Sequence, residues 1–203
     1  MTLDVDARAA HVFKLLVTGP FAAGKTSLIQ AISQTAVVDT DVETSGNEAE
    51  VKAHTTVAMD FGTYTLDEGD ARLLMFGTPG QRRFWYMTDI MKGDVDAVIF
   101  VVDAEAEHTH AEAGAAMRSL LSDVRVPVVV AVNRCDDLAA AKLLARRLGA
   151  LSSEAAVPCQ LIHPVSAREV TIEALVAVLD RMERRTVAPL DPLDRVVALA
   201  RAA

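Results

Sequence analysis

Three pieces near the start of the chain constrain it most: an apolar run, VFKLLVTG at 12–19, the loop GPFAAGKT at 19–26, and a helix-like stretch at 25–34. The loop fits a glycine-rich pattern whose small residues, here Gly19, Ala22, Ala23 and Gly24, let backbone N–H groups curl around phosphate oxygens. The helix that follows adds the positive end of its dipole. Lys25 is placed to reach outer phosphates, Thr26 to ligate magnesium, and Ser27 stands beside them at the helix start. A strand, loop and helix in this order belong at one edge of a parallel sheet.

The rest of the chain supplies such a sheet. AVIFVVDA (97–104) and VPVVVAVN (126–133) are short, uninterrupted and rich in Val and Ile, as strands buried on both faces are. Helix-like stretches at 82–92, 111–122, 138–148 and 171–184 alternate with them, which predicts an α/β architecture. TTVAMDFGTYTL and ARLLMFG flank Asp67-Glu68-Gly69-Asp70, a turn composition that predicts a hairpin and one antiparallel strand. Residues 36–54 are polar, acidic and too long for an ordinary connection. The expected organisation is one domain over 1–185 and an extension over 186–203, where Pro189 and Pro192 precede a short apolar helix candidate, Leu193 to Ala200.

Twenty basic against 28 acidic residues, a net charge of -8, argue against a nucleic-acid partner. The acidic start and the lack of a long apolar run predict a cytoplasmic protein with no direct membrane insertion. Cys135 and Cys159 offer no metal-ligand spacing, and His108 and His110 read as a solvated loop and a helix start.

A second ligand-facing loop is Asn133-Arg134-Cys135-Asp136, at the end of the VPVVVAVN strand. A carboxylate at Asp136 can accept from the N1–H and the exocyclic amine of guanine, a pair that adenine lacks. Asn133 can brace the loop and the stem of Arg134 can lie over the base. The alternative for Asp136 is a helix N-cap for the segment that starts at Asp137. Ser166-Ala167-Arg168, after the apolar stretch CQLIHPV, is expected to cover the base edge through backbone N–H groups.

GPFAAGKT, a threonine within TTVAMDF, GTPGQ, NRCD and SAR occur in the order found in the Ras-like small GTPases, which the chain resembles over about residues 10–184. The Pro79-Gly80-Gln81 version of the third motif looks like bacterial gliding-motility and conservon-type members. The resemblance implies a P-loop NTPase fold of three layers, with a mostly parallel six-stranded sheet, one antiparallel edge strand and helices on both faces. It implies GTP or GDP and Mg2+ as ligands, with Thr26 and Thr56 on the metal; the Rab-type spacing to Asp60-Phe61 favours Thr56 over Thr55. It also implies a Roadblock/LC7-type regulatory partner.

Two residues depart from the family's pattern. Gly77 stands where the family has an aspartate that holds a magnesium-bound water. Asp60, on a strand expected to pair with the Gly77 strand, either takes over that position or is an edge-strand carboxylate in solvent. Phe21 replaces a small residue and is expected to obstruct Gln81 or a partner's arginine. In the family's chemistry Gly80 offers its N–H to the γ-phosphate, Gln81 orients the attacking water, and Lys25 and Thr56 complete the catalytic set. Unaided turnover of such proteins is on the order of 10⁻⁴ s⁻¹, and a partner's arginine adds about five decades. Arg82 and Arg83 follow Gln81 and read as solvated helix-start residues or as catalytic cations. Of the row Phe84, Trp85, Tyr86 and Met87, helical geometry can bury about two, leaving an aromatic anchor for a partner.

The chief expectation is therefore a GTP-hydrolysing switch whose mobile segments are 36–58 and 78–92. The rival is a scaffold that binds GTP or GDP but scarcely hydrolyses it. An ATP-dependent kinase or ATPase is disfavoured by Asn133 and Asp136.

Overall fold

A computed structural model describes residues 11–35, 59–65, 71–82, 85–151 and 155–187. Thr55, Thr56, the 36–54 segment, the 67–70 turn, Arg83, Phe84 and residues 193–200 lie outside the described residues. Within them the chain runs β1 (His11–Thr18), α1 (Lys25–Ile32), β2 (Asp60–Thr65), β3 (Ala71–Gly77), α2 (Trp85–Met91), β4 (Ala97–Asp103), α3 (His110–Asp123), β5 (Val128–Asn133), α4 (Leu138–Leu148), β6 (Ala155–Cys159) and α5 (Pro164–Val187). The six strands form one sheet in the order β2-β3-β1-β4-β5-β6. All neighbours are parallel except β2 and β3, so the hairpin adds its antiparallel strand at an edge.

Alternation along the central strands explains the layers. Leu15, Val17, Ile99, Val101, Val129 and Ala131 face one side and pack with Leu28 and Ile29 of α1 and Val170, Ala174 and Val178 of α5. Leu16, Val98, Phe100, Val102, Val130 and Val132 face the other, against Met117 and Leu120 of α3 and Ala141, Ala145 and Leu148 of α4. Because both faces are covered, these strands read in the sequence as unbroken apolar runs rather than as alternation.

The α4 ends are set by local chemistry. Asp137 accepts from the Ala140 N–H at 2.9 Å as N-cap, and Gly149, at φ 105°, closes the helix in the left-handed conformation that glycine adopts without a Cβ penalty. β6 is the strand the sequence hides best. Its segment AAVPC carries Pro158, which an edge strand tolerates because one side of its ladder is unpaired. The stretch that follows, with the larger Leu161 and Ile162, is a turn and the first residues of α5, a helix that runs on past residue 185 to Val187.

Candidate functional site

Parallel pairing brings the carboxyl ends of β1, β3, β4, β5 and β6 to one edge. Val17 pairs with Gly77, Asp103 with Asn133, and Asn133 with Cys159. The loops that leave these ends form the site.

The first is Gly19 to Thr26. Gly19 has φ 136°, and a Cβ there would lie 2.0 Å from the Val101 carbonyl oxygen, so backbone-to-strand contact demands glycine. Ala22 and Gly24 also have positive φ, and Ala23 is buried. Lys25 opens α1 with 7% of its surface exposed, and its Nζ donates to the Pro20 carbonyl at 2.6 Å across the loop. Burial lowers the Lys25 pKa to about 8, a shift that the Asp60 carboxylate partly opposes. Ser27 is exposed at the helix start.

Thr26 Oγ1 donates to Asp60 Oδ2 at 2.6 Å. Asp60 begins β2 and pairs directly with Gly77 at the end of β3. A Cβ on Gly77 would meet Asp60 Cβ at 2.9 Å, Asp60 Oδ2 at 3.3 Å and Ile29 Cδ1 at 2.7 Å. The space in which a residue-77 side chain would begin is thus occupied by Asp60, whose carboxylate reaches the same threonine from the neighbouring strand. An all-oxygen pair of one hydroxyl and one carboxylate suits magnesium, which takes one or two protein ligands, substrate phosphates and waters.

The loop after β3 lies against the phosphate loop. A Cβ on Gly80 would fall 2.4 Å from the Phe21 nitrogen and 2.5 Å from Lys25 Nζ, so position 80 has no room for a side chain. Gln81 is exposed, and Phe21 is 67% exposed, its ring toward solvent at the mouth of the site. Arg82 lies over the Trp85 ring at 5.8 Å, a cation–π contact that occupies its guanidinium. Trp85 and Met87 are half-buried while Tyr86 and Ile90 are 51% and 73% exposed, leaving an apolar patch on α2.

At the end of β5, buried Asn133 is a brace. Its Nδ2 donates to the Ala23 carbonyl at 3.0 Å, and its Oδ1 accepts from the Leu161 N–H at 3.0 Å, tying the phosphate loop to the segment after β6. Arg134 is held at φ 55°, a left-handed conformation costing a residue with a Cβ roughly 1–2 kcal/mol. Its guanidinium pairs with the buried Asp103 carboxylate at the end of β4. Asp136 is exposed and accepts from Gln160 Nε2 at 3.1 Å; the helix cap is Asp137, so Asp136 is not the N-cap of α4. Burial, with Cys135 nearby, pushes the Cys159 thiol up to about 12, leaving it an unreactive core residue.

Ser166, Ala167 and Arg168 require a correction. They form part of the first turns of α5, with Ala167 at 0% exposure and its N–H donating to the His163 carbonyl at 3.1 Å. That N–H is committed to the helix and cannot face a base, and Arg168 is exposed on the helix surface. Ser166 instead accepts from the Gln160 N–H at 2.9 Å. The segment beside Asn133 and Asp136 is Gln160-Leu161, which follows β6 directly.

Two further groups had no motif to mark them. One is Asp103, which accepts from Arg134 and from the Glu105 N–H; its carbonyl lies 2.8 Å from His110 Nε2. The other is a hydroxyl chain. Thr78 Oγ1 donates to Thr18 Oγ1 at 2.9 Å, and Thr88 of α2 lies 3.0 Å from Thr18, joining β1, the loop after β3 and α2. Isolated threonines and an aspartate on a strand end carry no spacing signal.

A phosphate loop, an oxygen pair at the first helix and a braced loop after β5, all on one sheet edge, define a nucleotide-binding P-loop α/β protein. The family described as conserved hypothetical ATP binding protein matches residues 17–191, and the chain belongs to it. It is 30% identical over 135 residues to the Ras-related protein Rab-7L1 of Homo sapiens, covering 62% of this chain and 61% of that protein. With the Arabidopsis thaliana Ras-related protein RABA5e it shares 27% identity over 141 residues, 67% of this chain and 59% of the relative. The chain is thus similar to Ras-related proteins, and it spans only about three fifths of the length of these relatives. Among the described residues no helix is long and apolar enough to cross a membrane.

Proposed function

We propose that the protein is a guanine-nucleotide-binding molecular switch that hydrolyses GTP slowly to GDP in bacterial signalling. The observation that carries this reading is the Asn133 brace, which ties the phosphate loop to the segment after β6, where Gln160 donates to the Asp136 carboxylate. Asp136 supports guanine rather than adenine, because a carboxylate facing the base needs donors at N1 and the exocyclic 2-position. The word ATP in the family's description therefore belongs to the family, and the base preference of this chain is for guanine.

In this reading the loop N–H groups from Gly19 to Thr26 hold the phosphates, and Lys25 places its charge beneath them. Thr26, with Asp60 behind it, and Thr56 are the side chains that hold Mg2+, which when bound neutralises developing phosphate charge. Gly80 presents its N–H to the terminal phosphate and Gln81 orients water. Segments 36–58 and 78–92 change with the nucleotide state. The Thr18-Thr78-Thr88 chain supports coupling of α2 to the phosphate end, since movement of residue 78 bears on both neighbours. Tyr86 and Ile90 provide a surface for a Roadblock/LC7-type regulator. The setting is the cytoplasm.

The rival reading, a scaffold that keeps its nucleotide unhydrolysed, draws on Gly77 and Phe21. Asp60 opposite Gly77 speaks against the first of these, and the second leaves Phe21 exposed, as Gln81 is. The test is to denature the purified protein, identify the released nucleotide by chromatography, and follow loaded GTP over hours with and without magnesium. Guanine nucleotide converting slowly to GDP, with conversion lost in Gln81→Ala, is the expected result. GTP that persists even with a regulator present supports the scaffold, and adenine nucleotide overturns the reading.

Lys25 gives this site a pH dependence. In the free protein it loses its proton near pH 8, whereas bound phosphate requires the charged form. Binding above pH 8 must therefore take up a proton, and affinity for GDP should fall by about tenfold between pH 7 and pH 9, measured by calorimetry in buffers of different ionisation enthalpy. For the free fold the sign is opposite. The lowered pKa means that the unfolded chain binds more protons above pH 8, so this group adds stability as pH rises toward its ordinary value of 10.5.

A further inference from the structure

At the end of the sheet opposite the nucleotide loops lies a groove of about 740 Å³, bounded by the second half of α5, the end of α3 and the starts of β5 and β6. Its apolar lining comes from Leu121, Val124, Val126, Leu151 and Val176, with Leu151 and Val176 exposed. Its α5 wall carries charge in a definite order: read back from the helix end, Arg184 and Arg181 come first, then Asp180 and Glu173. Arg184 and Asp180 are 3.9 Å apart and both exposed, a pairing too loose to fix either.

We propose that this groove receives residues 193–200 of the same chain, folded back as a helix antiparallel to α5. Reach permits it. Pro189 and Pro192 come just after the end of α5 at Val187, and the proposed docking needs its reversal within 188–192, an ordinary length for a helix–helix connection. A helix over 193–200 is about 12 Å long at 1.5 Å per residue, the same span that α5 covers from 176 to 184. Leu193, Val196, Val197 and Ala200 recur at i, i+3, i+4 and i+7, which gives one apolar face to set on the groove floor.

Charge order fixes the direction. Read forward, the segment carries Asp191 and Asp194, then Arg195 and Arg201. Laid antiparallel, its two acids meet Arg184 and Arg181, and its two cations meet Asp180 and Glu173. A parallel placement would put like charges together at both ends. The short connection after Val187 makes this chain's own tail the occupant proposed, and the docking does not depend on which nucleotide the other edge binds.

Amide hydrogen exchange on the full chain tests this. Peptides covering 193–200 should exchange on the order of tenfold slower than an unstructured chain, with equal protection at protein concentrations tenfold apart. Reversing Arg181 and Arg184 to Glu should abolish the protection, and adding Asp191→Arg and Asp194→Arg should restore it. All four positions are charged surface or tail residues, and retained nucleotide reports on the fold of each variant. Unprotected amides in the unaltered chain overturn the proposal, as does protection that ignores the charge reversals or grows with concentration; the last would assign the groove to a second copy.

Discussion

Replacing Asp136 by Asn is expected to turn the base preference from guanine toward xanthine, with a combined change in the ratio of affinities on the order of 10⁴. The argument is one of donors and acceptors. An aspartate carboxylate accepts from both N1–H and the 2-amino group of guanine. An asparagine at the same place offers one acceptor and one donor, so N1–H remains satisfied while its N–H2 faces the guanine amine, donor against donor. Xanthine carries a carbonyl at that position and accepts the bond. The penalty is large because Asn133 pins the loop between the Ala23 carbonyl and the Leu161 N–H, leaving it little freedom to turn a mismatched group toward water. Gln160, whose Nε2 donates to Asp136, can turn its amide end for end to suit the new side chain. Competition between GDP and XDP for the nucleotide-depleted protein measures the change. Asp137→Asn is the control: its side chain still caps α4, and base preference should not move. Unaltered guanine preference in Asp136→Asn would remove the assignment of this loop.

How far the site could be read from residues depended on how locally each part is encoded. Gly19 and Gly24 announce the phosphate loop because their positive φ leaves almost no other residue type. Buried strands such as β4 and β5 announce themselves by unbroken Val and Ile. β6 does not, since it is a five-residue edge strand of mostly small residues interrupted by Pro158, and the larger Leu161 and Ile162 lie in the turn behind it. Taking CQLIHPV for the apolar element moved the base-edge segment onto Ser166-Ala167-Arg168, six residues late. The true neighbour of Asn133 and Asp136, Gln160-Leu161, has no distinctive composition; its place follows from strand pairing alone. Asp103 and the Thr18-Thr78-Thr88 chain are equally non-local, joining residues 31 or more apart across loops. The antiparallel β2 was legible from a turn-rich break between two apolar segments. That pairing in turn gave Asp60 its neighbour, Gly77.

Exchanging those two residues is the sharper experiment on the phosphate end. Asp60→Ala should weaken magnesium-dependent retention of nucleotide by about 10- to 100-fold, the usual cost of removing a carboxylate that orients a metal-bound group. Gly77→Asp alone should also be damaging, for a different reason. Its new Cβ would sit 2.9 Å from Asp60 Cβ and 2.7 Å from Ile29 Cδ1, and two carboxylates would compete for one place. Overpacking of this kind costs about 1–3 kcal/mol before the charge repulsion is counted. The double variant Asp60→Gly with Gly77→Asp removes the obstructing Cβ and leaves Ile29, whose terminal methyl can rotate aside. If what matters is one carboxylate within reach of the Thr26 hydroxyl, the transposed pair should regain most of the retention that either single change loses. The readout is the rate of GDP release with magnesium and with a chelator, the ratio of the two isolating the metal's share. Should the double variant release GDP as fast as Asp60→Ala at equal stability, the carboxylate acts through something other than its place beside Thr26. Recovery would mean that the glycine at 77 records a carboxylate moved by one strand, with the chemistry of the site retained.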